Sequence, residues 1–245
     1  MAGHSKWKNI AHRKGKQDAS RGQLFTKLCK DVYAAARRGG SNPDTNYALK
    51  LAIDKARTAS VPADTIARTL AKASGTLEGV QMEEFVYEGY GPGGIAVMLE
   101  ISTDNRNRTA AEVRHLFSKY GGSLGESGCV AWMFRRVGAI ALVRGTLSMD
   151  EESFTLIAIE AGAQDIDAPA SEESMTVYTE PDELSAVESR LREQGISPDS
   201  ASLVYLPVVM TAVTAADEDK VTLLLSLLEE HDDVQSLYTN ADFDL

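Results

Sequence analysis

Apolar residues recur at helical spacing in the first third of the chain, and the period changes from residue 83 onward. Leu24, Leu28, Val32 and Ala36 fall every fourth position, with Phe25 and Ala35 widening the stripe, and the pattern stops at Gly39-Gly40. A second stripe opens after Asn42-Pro43 and aligns Leu49, Ala52, Ile53 and Ala56. A third starts at Ser60-Val61-Pro62, aligns Ile66, Leu70 and Ala73, and ends at Gly75. Prolines in the first turn of two helices suit their missing N–H. These patterns predict a small three-helix unit over about residues 20–75. The residues before it are polar, basic and aperiodic, which predicts an arm that is extended or disordered when free.

Glu84 to Tyr90 and Gly94 to Ser102 are β-rich runs joined by a glycine-proline turn, a hairpin signature. Asn105 to Tyr120 reads as a helix with Val113, Leu116 and Phe117 inward, and Cys129 to Arg135 as a strand. The order then becomes strand 138–143, helix 150–161, strands 163–167 and 175–179, helix 181–194 and strand 201–206. That is a complete βαββαβ unit of ferredoxin-like type. A strand near 208–213, a helix over 217–230 and a strand over 234–238 are left to complete the hairpin, helix and strand of residues 83–135. The expected architecture is α+β and multidomain: an N-terminal three-helix domain followed by two ferredoxin-like α/β sandwich domains. Its boundaries fall at 1–80 (arm plus helices), 81–136 with 207–245 (a discontinuous α/β domain) and 137–206 (the inserted domain).

Composition changes this picture through the placement of charge. The net charge is −11. Residues 1–75 carry fifteen basic and five acidic residues, net +10, residues 76–145 are near neutral at −1, and residues 146–245 reach −20. An acidic chain with segregated basic charge is compatible with a polyanionic partner. Lys6, Lys8, Arg13, Lys14, Lys16 and Arg21 crowd the start, interleaved with Trp7 and His12. Cations neutralise phosphates and an aromatic ring among them can stack on an unpaired base. Lys27, Lys30, Arg37 and Arg38 carry the charge along the first helix, the last two also favouring its C-terminal dipole.

Arg106 and Arg108 sit in the first turn of the 105–120 helix, where cations oppose the dipole. Two readings follow: a bound anion, or carboxylate partners from elsewhere in the fold. Asp104 or Thr103 is the expected cap, with Thr109 and Glu112 as a capping box. Gly89 to Gly94 contains GxGxxG, yet it lies between two strands, so a hairpin turn is expected rather than a dinucleotide site. No catalytic motif occurs, the four histidines lack metal-ligand spacing, and neither a cofactor nor a metal is expected. Cys29 and Cys129 stand apart, which fits free thiols in a reducing cytoplasm. No apolar run is long enough for a bilayer, so no membrane partner is expected.

The segments GHSKWKNIAHRKGKQDASRGQLFTKL, ARRGGSNPDTNYAL, YEGYGPGG and TDNRNRTAAEVRHLF together resemble the YebC family over essentially the whole chain. In the arm the match falls at Gly3, His4, Ser5, Lys6, Trp7, Ile10, His12, Arg13, Lys14 and Gly15. The resemblance implies three domains and a non-enzymatic, cytoplasmic role in gene expression. Family members are treated as DNA-binding transcriptional regulators. Some are placed at the ribosome, relieving stalls at proline-rich stretches, and a mitochondrial relative activates translation.

Three functional readings follow. The first is a transcriptional regulator binding DNA through the basic N-terminal region. The second is a ribosome-associated translation factor binding ribosomal or transfer RNA, to which the arm and Trp7 are suited. The third is an enzyme on a phosphorylated small molecule centred on Arg106, Arg108 and the glycine turn, which the missing acid, base or metal motif disfavours. Nothing marks a dimer, so a monomer is expected.

Overall fold

The protein is described here by a computed structural model covering residues 21–77, 82–169 and 173–243. It forms two compact units, one from residues within 1–135 and 207–245, the other from 136–206.

The three helical stripes become α1 (Arg21–Gly39), α2 (Tyr47–Thr58) and α3 (Ala63–Ala73). Leu28, Val32, Leu49, Ile53, Ala56 and Ile66 meet in one buried cluster. Leu24 departs from its stripe and is 47% exposed. Both prolines fall just outside the helices, Pro62 at the cap position of α3 and Pro43 in the turn before α2. The cap of α2 is Asn46, whose side chain accepts from the Leu49 N–H at 3.1 Å and donates to Ala35 O and Gly40 O, each at 2.8 Å. One buried amide thus joins the end of α1 to the start of α2. At the end of α2 the chain reverses through Ser60 in the left-handed region, φ 64°.

β1 (Glu83–Tyr90) and β2 (Ala96–Thr103) pair antiparallel, from Glu83 opposite Thr103 to Tyr90 opposite Ala96. The glycine cluster turns the hairpin, with Gly93 and Gly94 at positive φ. After α4 (Arg106–Lys119) the short β3 (Ser123–Leu124) pairs with β1. The strand expected at Cys129 begins only at Phe134. Glu88 explains the delay: its buried carboxylate accepts the N–H groups of Gly128 (2.7 Å), Val130 (2.9 Å) and Ala131 (2.8 Å). Two consecutive amides drawn to one carboxylate cannot alternate along a ladder, so Ala131–Met133 forms a 3-10 turn instead.

From there the inserted unit runs β4 (Phe134–Val143), α5 (Glu151–Glu160), β5 (Asp165–Asp167), β6 (Ser174–Thr179), α6 (Leu184–Glu193) and β7 (Ser200–Pro207). Its sheet order is β5-β6-β4-β7, the split βαββαβ arrangement. Phe154, Ile140, Leu142, Met175 and Leu191 are its largest fully buried side chains, with Val177 buried among the core residues as well.

The chain then returns through β8 (Thr211–Ala212), α7 (Glu218–Glu230), β9 (Val234–Thr239) and β10 (Ala241–Asp242). β9 joins β2, giving the first sheet the order β3-β1-β2-β9, and β8 pairs with β10. Val97, Leu99 and Ile101 of β2 pack with Val113 and Phe117 of α4 and with Val221, Leu224 and Leu228 of α7. The strand expected over 208–213 shrinks to two residues because its first half bonds elsewhere. The Val208 N–H donates to Met133 O (2.8 Å), and Val209 O accepts from the buried Asn240 side chain (3.0 Å).

Candidate nucleic-acid interface

Of the predicted contact residues, Lys6, Trp7, Lys8, His12, Arg13, Lys14 and Lys16 lie outside the described residues, as does the side chain of Arg21. The four cations of α1 fall into two pairs. Arg37 and Arg38 close the helix and are exposed. Arg38 reaches Ala34 O and Glu84 Oε2, both at 3.4 Å, in a contact that water screens.

Lys27 and Lys30 are instead engaged within the protein. Lys27 Nζ donates to Glu229 O, the penultimate carbonyl of α7, at 2.5 Å. Burial lowers the Lys27 pKa, opposed by the charges of Glu229 and Asp232. Lys30 spends its three protons on Ser102 O (3.0 Å), Asp232 O (2.9 Å) and Asp233 Oδ1 (2.8 Å). The solvent-facing position that helical spacing suggests for these two lysines is covered by the end of α7.

Asp233 is the centre of this network. Its Oδ2 accepts from Thr103 Oγ1 (3.0 Å), Thr109 Oγ1 (2.8 Å) and Arg108 Nη2 (2.9 Å). Burial pushes this carboxyl up, but hydrogen bonds from Lys30, Thr109 and Arg108, with the Lys30 charge, outweigh it and hold the pKa well below the ordinary carboxylate range. Arg108 also meets Asp104 at 3.0 Å, so of the two readings of that residue the carboxylate partners are the ones present. Arg106 is exposed, with its guanidinium 4.9 Å above the Phe85 ring. The cap of α4 is Asn105, accepting from the Arg108 N–H at 3.1 Å, rather than Asp104 or Thr103. Thr103 Oγ1 is drawn into the Asp233 network, and Thr109 lies inside the helix, so the expected capping box does not form.

A cleft of about 580 Å³ opens over the network, lined by Gln23, Thr26 and Lys30 of α1, Arg108 and Glu112 of α4, and His231 with its acidic neighbours. Glu112, His231 and Asp233 offer donor atoms within 4.8 Å of one another, a grouping that histidine spacing did not reveal. The His231 ring is already committed: Nδ1 accepts from the Asp233 N–H (3.1 Å), which leaves Nε2 to donate to Glu112 Oε2 (2.9 Å). With Lys30 and Arg108 on Asp233 as well, a further positive ion would meet two cations and an occupied carboxylate. The donor set does not fit a metal. Lys50 and Lys72, on α2 and α3, are further exposed cations, at polar-face positions that the apolar stripes leave open.

The described residues thus define an α+β protein in which a basic helical segment precedes two four-stranded sandwiches, and no helix among them is long and apolar enough to cross a membrane. A family model described as the TACO1/YebC protein N-terminal domain matches residues 5–76, and one described as the TACO1/YebC second and third domain matches residues 82–241. The chain belongs to the TACO1/YebC family. A relative from Desulfitobacterium hafniense named probable transcriptional regulatory protein is 48% identical over 246 residues, covering 99% of this chain and 96% of the relative. One of the same name from Halothermothrix orenii is 49% identical over 243 residues, covering 99% and 95%. The crystal structure of a conserved hypothetical protein from Aquifex aeolicus superposes with a TM-score of 0.84 at 43% identity, covering 94% of this chain and 93% of that one.

Proposed function

We propose that this chain is a non-enzymatic, cytoplasmic, monomeric regulator of gene expression. In this reading it acts in transcription by binding DNA through its basic N-terminal region. The observation that carries the reading is charge segregation: residues 21–77 hold ten basic and four acidic residues, the arm before them adds five basic and one acidic, and residues 146–245 carry net −20. The names of the relatives support it at the level of regulation. The working parts we assign are the arm (Lys6, Trp7, Lys8, His12, Arg13, Lys14, Lys16), Arg21, and the exposed Arg37 and Arg38. They belong to the first of three domains, 1–80, 81–136 with 207–245, and 137–206.

One observation favours a second reading, a ribosome-associated translation factor. The most basic described helix, α1, holds two of its lysines against the end of α7. A helix so covered is poorly placed to enter a DNA major groove, whereas a basic arm with Trp7 suits unpaired bases of structured RNA.

The test replaces Lys6, Lys8, Arg13, Lys14 and Lys16 with Gln and follows binding by filter retention as salt is raised. For about six phosphate contacts on duplex, log affinity should fall with log salt at a slope of about −5, and the five substitutions should remove most of it. An unchanged slope would exclude the arm. Crosslinking and sequencing of nucleic acid bound in cells separates the readings: promoter DNA supports the first and ribosomal RNA the second.

A further inference from the structure

The oxygens that hold Lys27 and Lys30 are three backbone carbonyls, of Glu229, Asp232 and Ser102, and one carboxylate, Asp233. Glu229, Glu230, Asp232 and Asp233 place four carboxylates within five residues, with His231 between them. They stand at the C-terminal end of α7, where the last carbonyls carry the negative end of the helix dipole. The oxygens meeting the two ammonium groups lie 2.5–3.0 Å away, as phosphate oxygens would. The buried apolar residues of α1–α3 form one cluster and those around β2, α4 and α7 form another. The contact between α1 and the end of α7 is therefore polar at these lysines, and the charges of Glu229 and Asp232 act on Lys27 across it.

We propose that the segment Glu229–Asp233 is an internal competitor for nucleic acid. It occupies Lys27 and Lys30 in the free protein and yields them to phosphates when the N-terminal region binds. This inference rests on the nucleic-acid reading above and deepens it by naming what holds the basic helix in check. The free protein then binds with its arm and exposed arginines alone. The full contact set forms only on a polyanion whose charge density exceeds that of the acidic segment.

The experiment is a mutant cycle on the full chain, read as the salt dependence of binding to a 20-base-pair DNA duplex and a 20-nucleotide RNA. Glu229→Gln, Glu230→Gln and Asp232→Asn together remove negative charge beside the two lysines and leave their bonds to the backbone carbonyls and to the buried Asp233 in place; unchanged thermal melts verify that the fold is retained. The triple variant should bind more tightly at low salt, with a duplex slope steeper by about 1 to 2, since each released lysine adds about 0.9. Lys27→Met should lower the duplex slope of the triple variant by about 0.9 and so remove about half of its gain. A gain that survives Lys27→Met in full would mean that the acidic segment merely repels nucleic acid, and the inference fails. No gain in the triple variant sinks it equally. Absence of binding by every form, the unaltered chain included, overturns the nucleic-acid reading itself.

Discussion

The two four-stranded sheets reach similar architectures by different means. The sheet of residues 136–206 comes from one continuous stretch, and its buried interior is dominated by Ile140, Leu142, Phe154, Met175, Val177 and Leu191. The sheet ordered β3-β1-β2-β9 joins segments more than a hundred residues apart, and buried polar side chains hold its joints. Asp233 ties β9 to Thr103, Thr109 and Arg108. Asn240, fully buried, accepts the Ala96 N–H at 2.7 Å and donates to Val209 O and Thr211 Oγ1, both at 3.0 Å. Apolar contacts tolerate many registers, whereas a buried carboxylate or amide is satisfied in few. In the continuous unit β5 and β6 are joined by a short loop, and all four strands come from residues 134–207. Strands from remote segments need a device that recognises the right partner.

The strongest way to break this comparison is Asp233→Ala. It strands Lys30 and Arg108 beside an emptied site and should destabilise the first unit by about 3–5 kcal/mol. Amide NMR signals of residues 136–206 should keep their positions; if they move with the rest, the two units are not separately held. The same carboxylate sets an acid dependence. Its pKa is depressed in the fold, so its contribution is complete above the unfolded-state value near 4 and is lost as pH falls below that value through the folded one. Asp233→Asn should therefore flatten the decline in stability below about pH 4 in urea titrations. Next in size is Leu191→Ala, which opens a cavity in the continuous unit and should cost about 3 kcal/mol, with its spectral changes confined to 136–206. The smallest is Ser60→Gly, which relieves a left-handed non-glycine residue after α2. It should stabilise the helical segment by about 0.5 kcal/mol, and a thermal melt that falls would contradict that assignment.

The helical stripes and the βαββαβ order were legible because each rests on a period contained within neighbouring residues. What escaped the sequence depends on residues far away. Lys27 and Lys30 occupy the polar face of an amphipathic helix, where spacing suggests solvent. Their partners Glu229 and Asp233 lie 202 and 203 residues on. The alternating residues after Cys129 read as a strand, and only the carboxylate of Glu88, some forty positions earlier, turns them aside. Thr103 and Asp104 looked like caps until the Asp233 network claimed the hydroxyl of the first and Arg108 the carboxylate of the second.

The loop fastened by Glu88 has a use of its own. It carries Trp132, 65% exposed, whose indole N–H is held on Cys129 O at 3.1 Å, and the same carbonyl receives the Tyr90 hydroxyl at 2.9 Å. An indole fixed in water by its backbone emits at long wavelength with high anisotropy, and both properties change only if the loop is released or something settles over the ring. With Trp7 replaced by Phe, the chain carries a single tryptophan, at the point where its first sandwich gives way to β4.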